Sequence, residues 1–151
     1  MNIDASFHVD GSGAAGVVLR NSCGEALAGM ACPMKNIIDS TSVEAMALLK
    51  GLKLLENLGC EKVTIESDSF ELIQTCNRFD KIWSPYAAIM AECFLKVRFM
   101  KEIFFKHRSM EANQVAHNLS RFSYEQKSTV HWDDDFPSFL LSSILNDVTI
   151  V

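Results

Sequence analysis

The sequence predicts one α/β domain in which three antiparallel strands are followed by alternating helices and strands. Apolar and polar side chains alternate with a period of two over residues 2–10, as in a strand, and two strand-like apolar runs follow. From residue 40 the period lengthens to that of amphipathic helices. The chain has 151 residues, 48% of them hydrophobic, so it can form one core of ordinary size. The predicted order of elements is βββαβααβα.

Three short strands open the chain. In the first, Ile3, Ala5 and Phe7 alternate with polar residues, which predicts one face in solvent and places Asp4 on that face. Turns that contain glycine or asparagine separate this strand from strand-like runs over residues 14–20 and 26–34. Strands joined by such tight turns pair antiparallel, so we expect a meander.

Helices and strands alternate along the rest of the chain. We expect a long helix with Ser40 or Thr41 as its N-cap and Gly59 as its stop. A strand over 62–66 then leads through Asp68 directly into a second helix. The remaining predicted elements are a helix over 87–100, a strand over 102–106, a helix over 111–122, and a tail, 126–151, that packs on a domain formed by 1–125.

Charge and cysteine content exclude several functional classes. Lysine and arginine number 14 and aspartate and glutamate 19, and the net charge of −5 argues against a strongly basic nucleic-acid binder. The five cysteines form no Cys-x-x-Cys pair, so we expect reduced, mostly buried thiols and neither disulfides nor a zinc site. The sequence shows no signal peptide and no membrane-spanning run, which predicts an intracellular protein of the nucleus or cytoplasm.

Three acidic residues stand where strands and helices are predicted to meet. Asp4 lies in the first strand, Glu44 in the first turn of the long helix, and Asp68 where a strand becomes a helix. Carboxylates that converge from separate elements can hold Mg²⁺ for phosphodiester hydrolysis. Taken singly, each has a structural explanation: an exposed strand residue, a first-turn acid favoured by the helix dipole, and an N-cap.

Five ordered motifs span residues 1–122. They are Ile3-Asp4-Ala5-Ser6, the run from Ala15 to Gly24, Val43-Glu44-Ala45-Met46-Ala47-Leu48, Ile65-Glu66-Ser67-Asp68-Ser69, and His107-Arg108 followed by Asn113, Ala116, His117, Leu119 and Ser120. Together they resemble the ribonuclease H family, and most closely its plant reverse-transcriptase-like domains related to retrotransposons. The resemblance implies a ribonuclease H-like fold: a mixed five-stranded sheet, three strands antiparallel and then two parallel, flanked by helices.

The resemblance also implies a metal-dependent endonuclease that hydrolyses the RNA strand of RNA–DNA hybrids with two divalent cations, Mg²⁺ or Mn²⁺. In that family an Asp-Glu-Asp-Asp set holds the ions, and its first three members match Asp4, Glu44 and Asp68. His117 occupies the fourth position. Because an imidazole suits Mn²⁺ better than Mg²⁺, we expect weak Mg²⁺ binding and relative rescue by Mn²⁺.

Four further positions match functional residues of the family. His107 matches a flexible-loop histidine that aids proton transfer or product release, a role suited to an imidazole. Ser6 matches a residue that contacts the hybrid, and Ser40 begins a run of hydroxyls where relatives carry asparagines. Asn113 matches an asparagine of the last motif, which we assign both to substrate binding and to bracing the last helix.

Departures from the family favour weak binding to nucleic acid. Phe70 replaces a glutamine that well-known relatives carry, so we expect relaxed selectivity for hybrids. The first strand also begins unusually close to Asp4, which would hold that carboxylate less firmly. The best basic cluster predicts weak, salt-sensitive binding; it comprises Lys96, Arg98, Lys101, Lys106 and Arg108.

A second interpretation is a catalytically weak or inactive module that acts by binding. The net charge of −5, Phe70 and His117 motivate it. The module would bind a nucleic acid, or a protein partner through the apolar tail or an exposed sheet edge. A retroelement remnant without a selected function is the third interpretation.

Overall fold

A six-stranded mixed sheet lies at the centre of the computed structural model, which describes residues 1–78, 85–133 and 135–149. Its strands stand in the order β5-β4-β1-β2-β3-β6. They are β1 (Asn2–Phe7), β2 (Gly13–Arg20), β3 (Ala26–Met34), β4 (Lys62–Ser67), β5 (Glu102–His107) and β6 (Val130–Trp132). The helices are α1 (Ser40–Asn57), α2 (Phe70–Arg78), α3 (Ala87–Val97), α4 (Gln114–Gln126) and α5 (Leu141–Thr149), with short 3₁₀ turns over Met110–Asn113 and Ser138–Leu140.

The mixed topology predicted from the sequence is confirmed. Strands β1, β2 and β3 pair antiparallel, whereas β4 runs parallel to β1 and β5 runs parallel to β4. The predicted count of five strands is wrong by one, because β6 adds antiparallel to β3. Three residues are too few to show a period of two, so the sequence pattern does not reveal this strand.

Helices cover both faces of the sheet. On one face, α1 packs over β1 and β2, α3 packs on α1, and the main core there includes Ile3, Val17 and Ile65. On the other, α4 packs over β1, β2 and β3, with Val115 and Leu119 in a second core cluster. The prediction that one face of β1 is in solvent is therefore wrong where the strand begins: Asp4 is only 3% exposed, because α4 covers it.

Several boundaries differ from the predicted ones for local physical reasons. The side chain of Asp39, not Ser40 or Thr41, caps α1 and accepts a hydrogen bond from the Ser42 backbone N–H at 2.7 Å. Gly59 does follow the end of α1, in the left-handed conformation (φ +65°) that favours glycine. Helix α3 ends at Val97 rather than residue 100, and the predicted last helix begins as a 3₁₀ turn.

The C-terminal tail contacts both β3 and α4. Beyond the β6 ladder, Leu140 is fully buried in the cluster beneath α4, and Phe122 stacks on Phe139 with ring centroids 4.2 Å apart. The Asn118 amide donates to Ser143 Oγ at 2.6 Å. Residues 134, 150 and 151 of the tail lie outside the described residues.

The described cysteines are free thiols, of which Cys32, Cys76 and Cys93 are buried. Within the described part of the chain, no helix is long and apolar enough to span a bilayer.

Candidate active site

Three carboxylates converge at the end of the sheet where β4 finishes. Asp4 lies within β1, Asp68 directly follows the last residue of the neighbouring parallel strand β4, and Glu44 comes from α1, which packs over β1. One oxygen of each side chain lies within 4.8 Å of the others. Glu44 is the fifth residue of α1 and so lies beyond its first turn, which removes the helix dipole as the main reason for an acid there.

Burial and mutual repulsion destabilise the ionised forms of these carboxylates unless a positive charge balances them. Burial, and then the charge of Asp68, raises the pKa of Asp4 to about 6. Burial raises the pKa of Glu44 well above its usual value, and the charges of Asp4 and Asp68 add to that effect. The Oε2 atom of Glu44 is inaccessible and has no hydrogen-bond partner among the described residues. Such a cluster of carboxylate oxygens is suited to bind a hard divalent cation.

Helix α4 holds Asp4 from the other side. Ser120 Oγ donates to Asp4 Oδ2 at 3.1 Å, and His117 Nδ1 lies 3.1 Å from the same oxygen. The helix can approach so closely because Gly16 lies beneath it: a Cβ there would stand 2.2 Å from the Ala116 carbonyl oxygen. Ser120 was not among the predicted site residues, although it lies one turn after His117 and therefore on the same helix face.

His107 lies beside Asp68, at the last position of β5 rather than in a flexible loop. Its Nε2 atom is 3.1 Å from the Asp68 carbonyl oxygen, and its ring meets Phe70 edge-on with centroids 5.6 Å apart. Phe70 is 61% exposed at the first position of α2. An imidazole and an exposed phenyl ring thus flank the residue that carries the Asp68 carboxylate.

The substrate-binding candidates differ in accessibility. Ser40 is exposed and lines a cleft of about 210 Å³ beside the carboxylates; the other lining residues are Thr41, Glu44, Asp68, Ser69 and Glu71. The Ser6 hydroxyl is inaccessible and has no partner among the described residues. Asn113 is fully buried, and its amide donates to the Ile3 carbonyl at 2.8 Å. This hydrogen bond braces the start of α4 against β1, and the assignment of Asn113 to substrate binding stays a prediction.

A larger groove of about 620 Å³ lies at the opposite end of β1 and β4. Asn2, Arg20, Lys62 and Thr64 are among its lining residues, and none of the three carboxylates is. Size alone therefore does not locate the candidate site, whereas the convergence of titratable groups does.

Comparisons with known proteins identify the family and the fold. The reverse transcriptase-like family model matches residues 2–123. Ribonuclease H1 from Halobacterium salinarum superimposes with a TM-score of 0.76 at 16% identity, covering 84% of this chain and 96% of that one. The N-terminal ribonuclease H domain of a Mycobacterium tuberculosis protein gives 0.76 at 16% identity, covering 83% and 93%. LC11 ribonuclease H1, solved in complex with an RNA/DNA hybrid, gives 0.71 at 19% identity, covering 83% and 96%.

No curated protein sequence gives a significant match. The family match spans most of the chain, and the structural matches extend over nearly the whole length of each ribonuclease H. The chain belongs to the reverse transcriptase-like family and has the ribonuclease H fold.

Proposed function

We propose that this protein is a metal-dependent endonuclease that hydrolyses the RNA strand of RNA–DNA hybrids with two divalent cations. The observation that carries the proposal is the convergence of Asp4, Glu44 and Asp68, with one oxygen of each within 4.8 Å of the others. The structural likeness to a ribonuclease H1 solved with an RNA/DNA hybrid supports the choice of substrate.

The three carboxylates would hold the cations, Mg²⁺ or Mn²⁺, with His117 as a fourth ligand. Bound cations would supply Lewis acidity, lowering the pKa of an attacking water and stabilising the departing 3′ oxygen. The contacts of Ser120 and His117 both fall on Oδ2 of Asp4, so they orient this carboxylate within the cluster. His117 contacts Asp4 through Nδ1, and neither of its ring nitrogens belongs to the group of ligand atoms that lie within 4.8 Å of one another, so its role as a fourth ligand stays a prediction.

The remaining residues bind and orient the substrate. Ser40 and Thr41 bring hydroxyls to the edge of the cleft, where they can contact the ribose of the RNA strand. His107, held at Asp68, can move a proton at the edge of the cluster. Arg108 follows it, but this guanidinium donates to Glu66 and is therefore partly neutralised.

Binding to the hybrid should be weak and salt-sensitive. Of the five basic residues in the predicted cluster, three pair with glutamates: Lys96 with Glu56, Lys101 with Glu61, and Arg108 with Glu66. Each pair diverts a positive charge from phosphate, and phosphate contacts supply most of the affinity for nucleic acids.

Cleavage of a labelled RNA–DNA hybrid at low salt, with Mg²⁺ and Mn²⁺ in parallel, tests the proposal. Asp4→Asn and Asp68→Asn should each lower the rate by about 100-fold or more, because each removes a charged cation ligand. Asp10→Asn, a change of the same kind at an exposed turn residue bonded to Ser12, should cleave like the wild type. Metal-dependent cleavage that survives in either site variant would refute the assignment.

A second candidate function is a module that binds nucleic acid without cleaving it. The engagement of Asp4 by His117, in place of a fourth carboxylate, favours this alternative, because it leaves the cation site one negative charge short. Folded wild-type protein that shifts a labelled hybrid in a gel but leaves it intact with both cations would support this candidate over the nuclease. A protein partner at the tail stays a prediction; α5 exposes Leu141 and Leu145 there.

A further inference from the structure

The sheet has one long edge strand, β5. At the opposite edge, β6 lies within the tail and has only three residues. Strand β5 has six residues, and β4 is its only neighbour in the described sheet. An edge strand of this kind presents backbone groups on which another strand can pair.

The backbone hydrogen bonds show which residues of β5 face outward. The N–H groups of Glu102 and Arg108 donate toward β4, to the carbonyls of Glu61 and Ser67. Because backbone direction alternates along a strand, the N–H and C=O groups of Ile103 and Phe105 point away from the sheet. In agreement, the Asn77 amide reaches the Phe105 carbonyl from outside the ladder at 3.3 Å, and a carbonyl has a second lone pair for another donor.

The side chains on the open face of β5 form a symmetric pattern. Glu102, Phe104 and Lys106 are all exposed, and Phe104 remains 54% exposed in the middle of the strand. Neither Glu102 nor Lys106 takes part in an ion pair within the described residues. An acid and a base thus stand at equal distances on either side of an exposed aromatic ring.

We propose that β5 pairs antiparallel with β5 of a second copy of this chain, with Phe104 at the two-fold axis. In this register Glu102 of each copy lies opposite Lys106 of the other, and the two Phe104 rings form a cross-strand pair. Ile103 and Phe105, the residues with outward backbone groups, fall opposite each other and exchange hydrogen bonds between the copies.

Charges on the neighbouring strand extend this complementarity. Within one copy, Lys62 is the ladder partner of Glu102, and Glu66 is the ladder partner of Lys106. Across the paired edges the signs therefore alternate along each outer row: Lys62, Glu102, Lys106 of the second copy, and Glu66 of the second copy. Shifting the register by two residues would place Glu102 or Lys106 opposite Phe104 and lose the pattern.

The arrangement leaves both candidate active sites open. The carboxylate cluster lies at the end of the sheet where β4 and β5 finish, because Asp68 and His107 both stand there. Two β5 strands that run in opposite directions put the two clusters at opposite ends of the joined sheet. The dimer does not depend on nuclease activity.

Sedimentation equilibrium on the full chain and its charge variants tests the pairing. Protein concentrations should extend to about 1 mM, because a contact between two six-residue strands buries little surface and should bind weakly. The wild type should be a reversible dimer. Glu102→Lys and Lys106→Glu should each weaken it about tenfold or more, because like charges then face each other at both ends of the ladder. Lys35→Glu changes the net charge as Lys106→Glu does, but at an exposed residue away from β5. This variant should dimerise like the wild type.

Recombining the charges separates this register from a general loss of solubility or fold. An equimolar mixture of Glu102→Lys and Lys106→Glu chains should form a heterodimer, and the double variant that carries both changes should regain self-association. Circular dichroism shows whether each variant is folded. A monomeric wild type at every concentration, single variants that dimerise unchanged, or a mixture and a double variant that stay monomeric would each overturn the proposal.

Discussion

Burial and the neighbouring carboxylates destabilise the ionised form of Asp4. Asp4 is 3% exposed, lies close to two other carboxylates, and keeps contacts with Ser120 and His117. Neutral hydrogen-bonding groups offset only part of the cost of burying a charge. The folded chain without cations therefore stabilises the protonated form of this carboxyl, and that preference is measurable.

Without divalent cations, the free energy of unfolding should fall as pH rises. The folded pKa of Asp4, about 6, lies above the usual value of 3.8, so its stabilising contribution is complete below about pH 4 and is lost as pH passes through 6. From about pH 4.5 to about pH 7.5 the loss is about 2 kcal/mol. Urea unfolding in chelator should show this fall in the wild type and a smaller one in Asp4→Asn.

The exposed Asp10 supplies the control for that measurement. Hydrogen bonds to Ser12 lower the pKa of Asp10, so its carboxylate is ionised in both folded and unfolded chains over the same pH range. Asp10→Asn should keep the wild-type pH dependence. Adding Mn²⁺ near neutral pH should stabilise the wild type and not Asp4→Asn. An identical slope in Asp4→Asn and the wild type would show that Asp4 does not titrate as the structure indicates.

His117 should set the preference between cations. An imidazole contributes no negative charge and suits Mn²⁺ better than Mg²⁺, so the wild type should bind and use Mn²⁺ more readily. His117→Asp should lower the ratio of Mn²⁺ to Mg²⁺ affinity by about tenfold, measured by the shift of the thermal unfolding midpoint with each cation. His131→Asp, at an exposed position in β6, should leave the ratio unchanged. A ratio unaffected by His117→Asp would exclude His117 from the cation site.

For the helices and strands, the sequence predicts those features that depend on the local pattern of apolar and polar residues. The limits of β3 are those expected, and Gly59 lies beyond the end of α1 as a stop should. The N-cap is harder to predict, because Asp39, Ser40 and Thr41 are all capping residues and tertiary packing decides among them. The burial of Asp4 is beyond local patterns altogether, since it depends on a helix more than 100 residues away in sequence.

The same division holds for the candidate site. The sequence motifs predict Asp4, Glu44 and Asp68 as site residues, and the structure brings the three side chains together. The accessibility of Ser6 and Asn113 was not predictable, because a motif matches positions along a chain and contains no information about which side chains become buried. Ser120 cannot be assigned to the site from sequence, because the role of a serine in a helix depends on which side chains lie next to it in the fold.

The close packing of α4 on β2 positions the side chains that contact Asp4. A methyl group at Gly16 would collide with the Ala116 carbonyl and the Ser120 backbone nitrogen, which are rigid parts of α4. Gly16→Ala should therefore displace the helix, destabilise the fold by about 3 kcal/mol and separate Ser120 and His117 from Asp4. Urea unfolding and the hybrid cleavage assay should both show the loss.

Gly51→Ala is the matched control for that change. In α1 the new methyl group would meet the flexible end of the Met1 side chain, and alanine favours helix over glycine by about 1 kcal/mol. This variant should keep stability and activity near those of the wild type. Equal damage from both substitutions would mean that the close approach of α4 at Gly16 has no special importance.

For the molecule as a whole, we expect the ion pairs of its basic residues to limit nucleic-acid binding more than its net charge does. The chain has 14 lysine and arginine residues, but Lys96, Lys101 and Arg108 each form an ion pair with a glutamate. Arg108 is the informative one, because it follows His107 beside the candidate site and is held by Glu66. If the Arg108 guanidinium were released from Glu66, it should add about one contact with a phosphate of the nucleic acid.

Glu66→Gln should release Arg108 and strengthen binding to a labelled RNA–DNA hybrid. Each additional phosphate contact steepens the slope of log affinity against log salt by about 0.9, so the slope should change by about that amount. Glu25→Gln makes the same change in net charge at a residue whose side chain bonds to Asn21 and to no basic side chain among the described residues, so it isolates the effect of overall charge. Fluorescence anisotropy titrations in Ca²⁺ at several salt concentrations give both slopes without turnover. If the two variants gain equally, net charge governs affinity; a steeper slope in Glu66→Gln alone would show that the Glu66 ion pair limits how this fold engages its substrate.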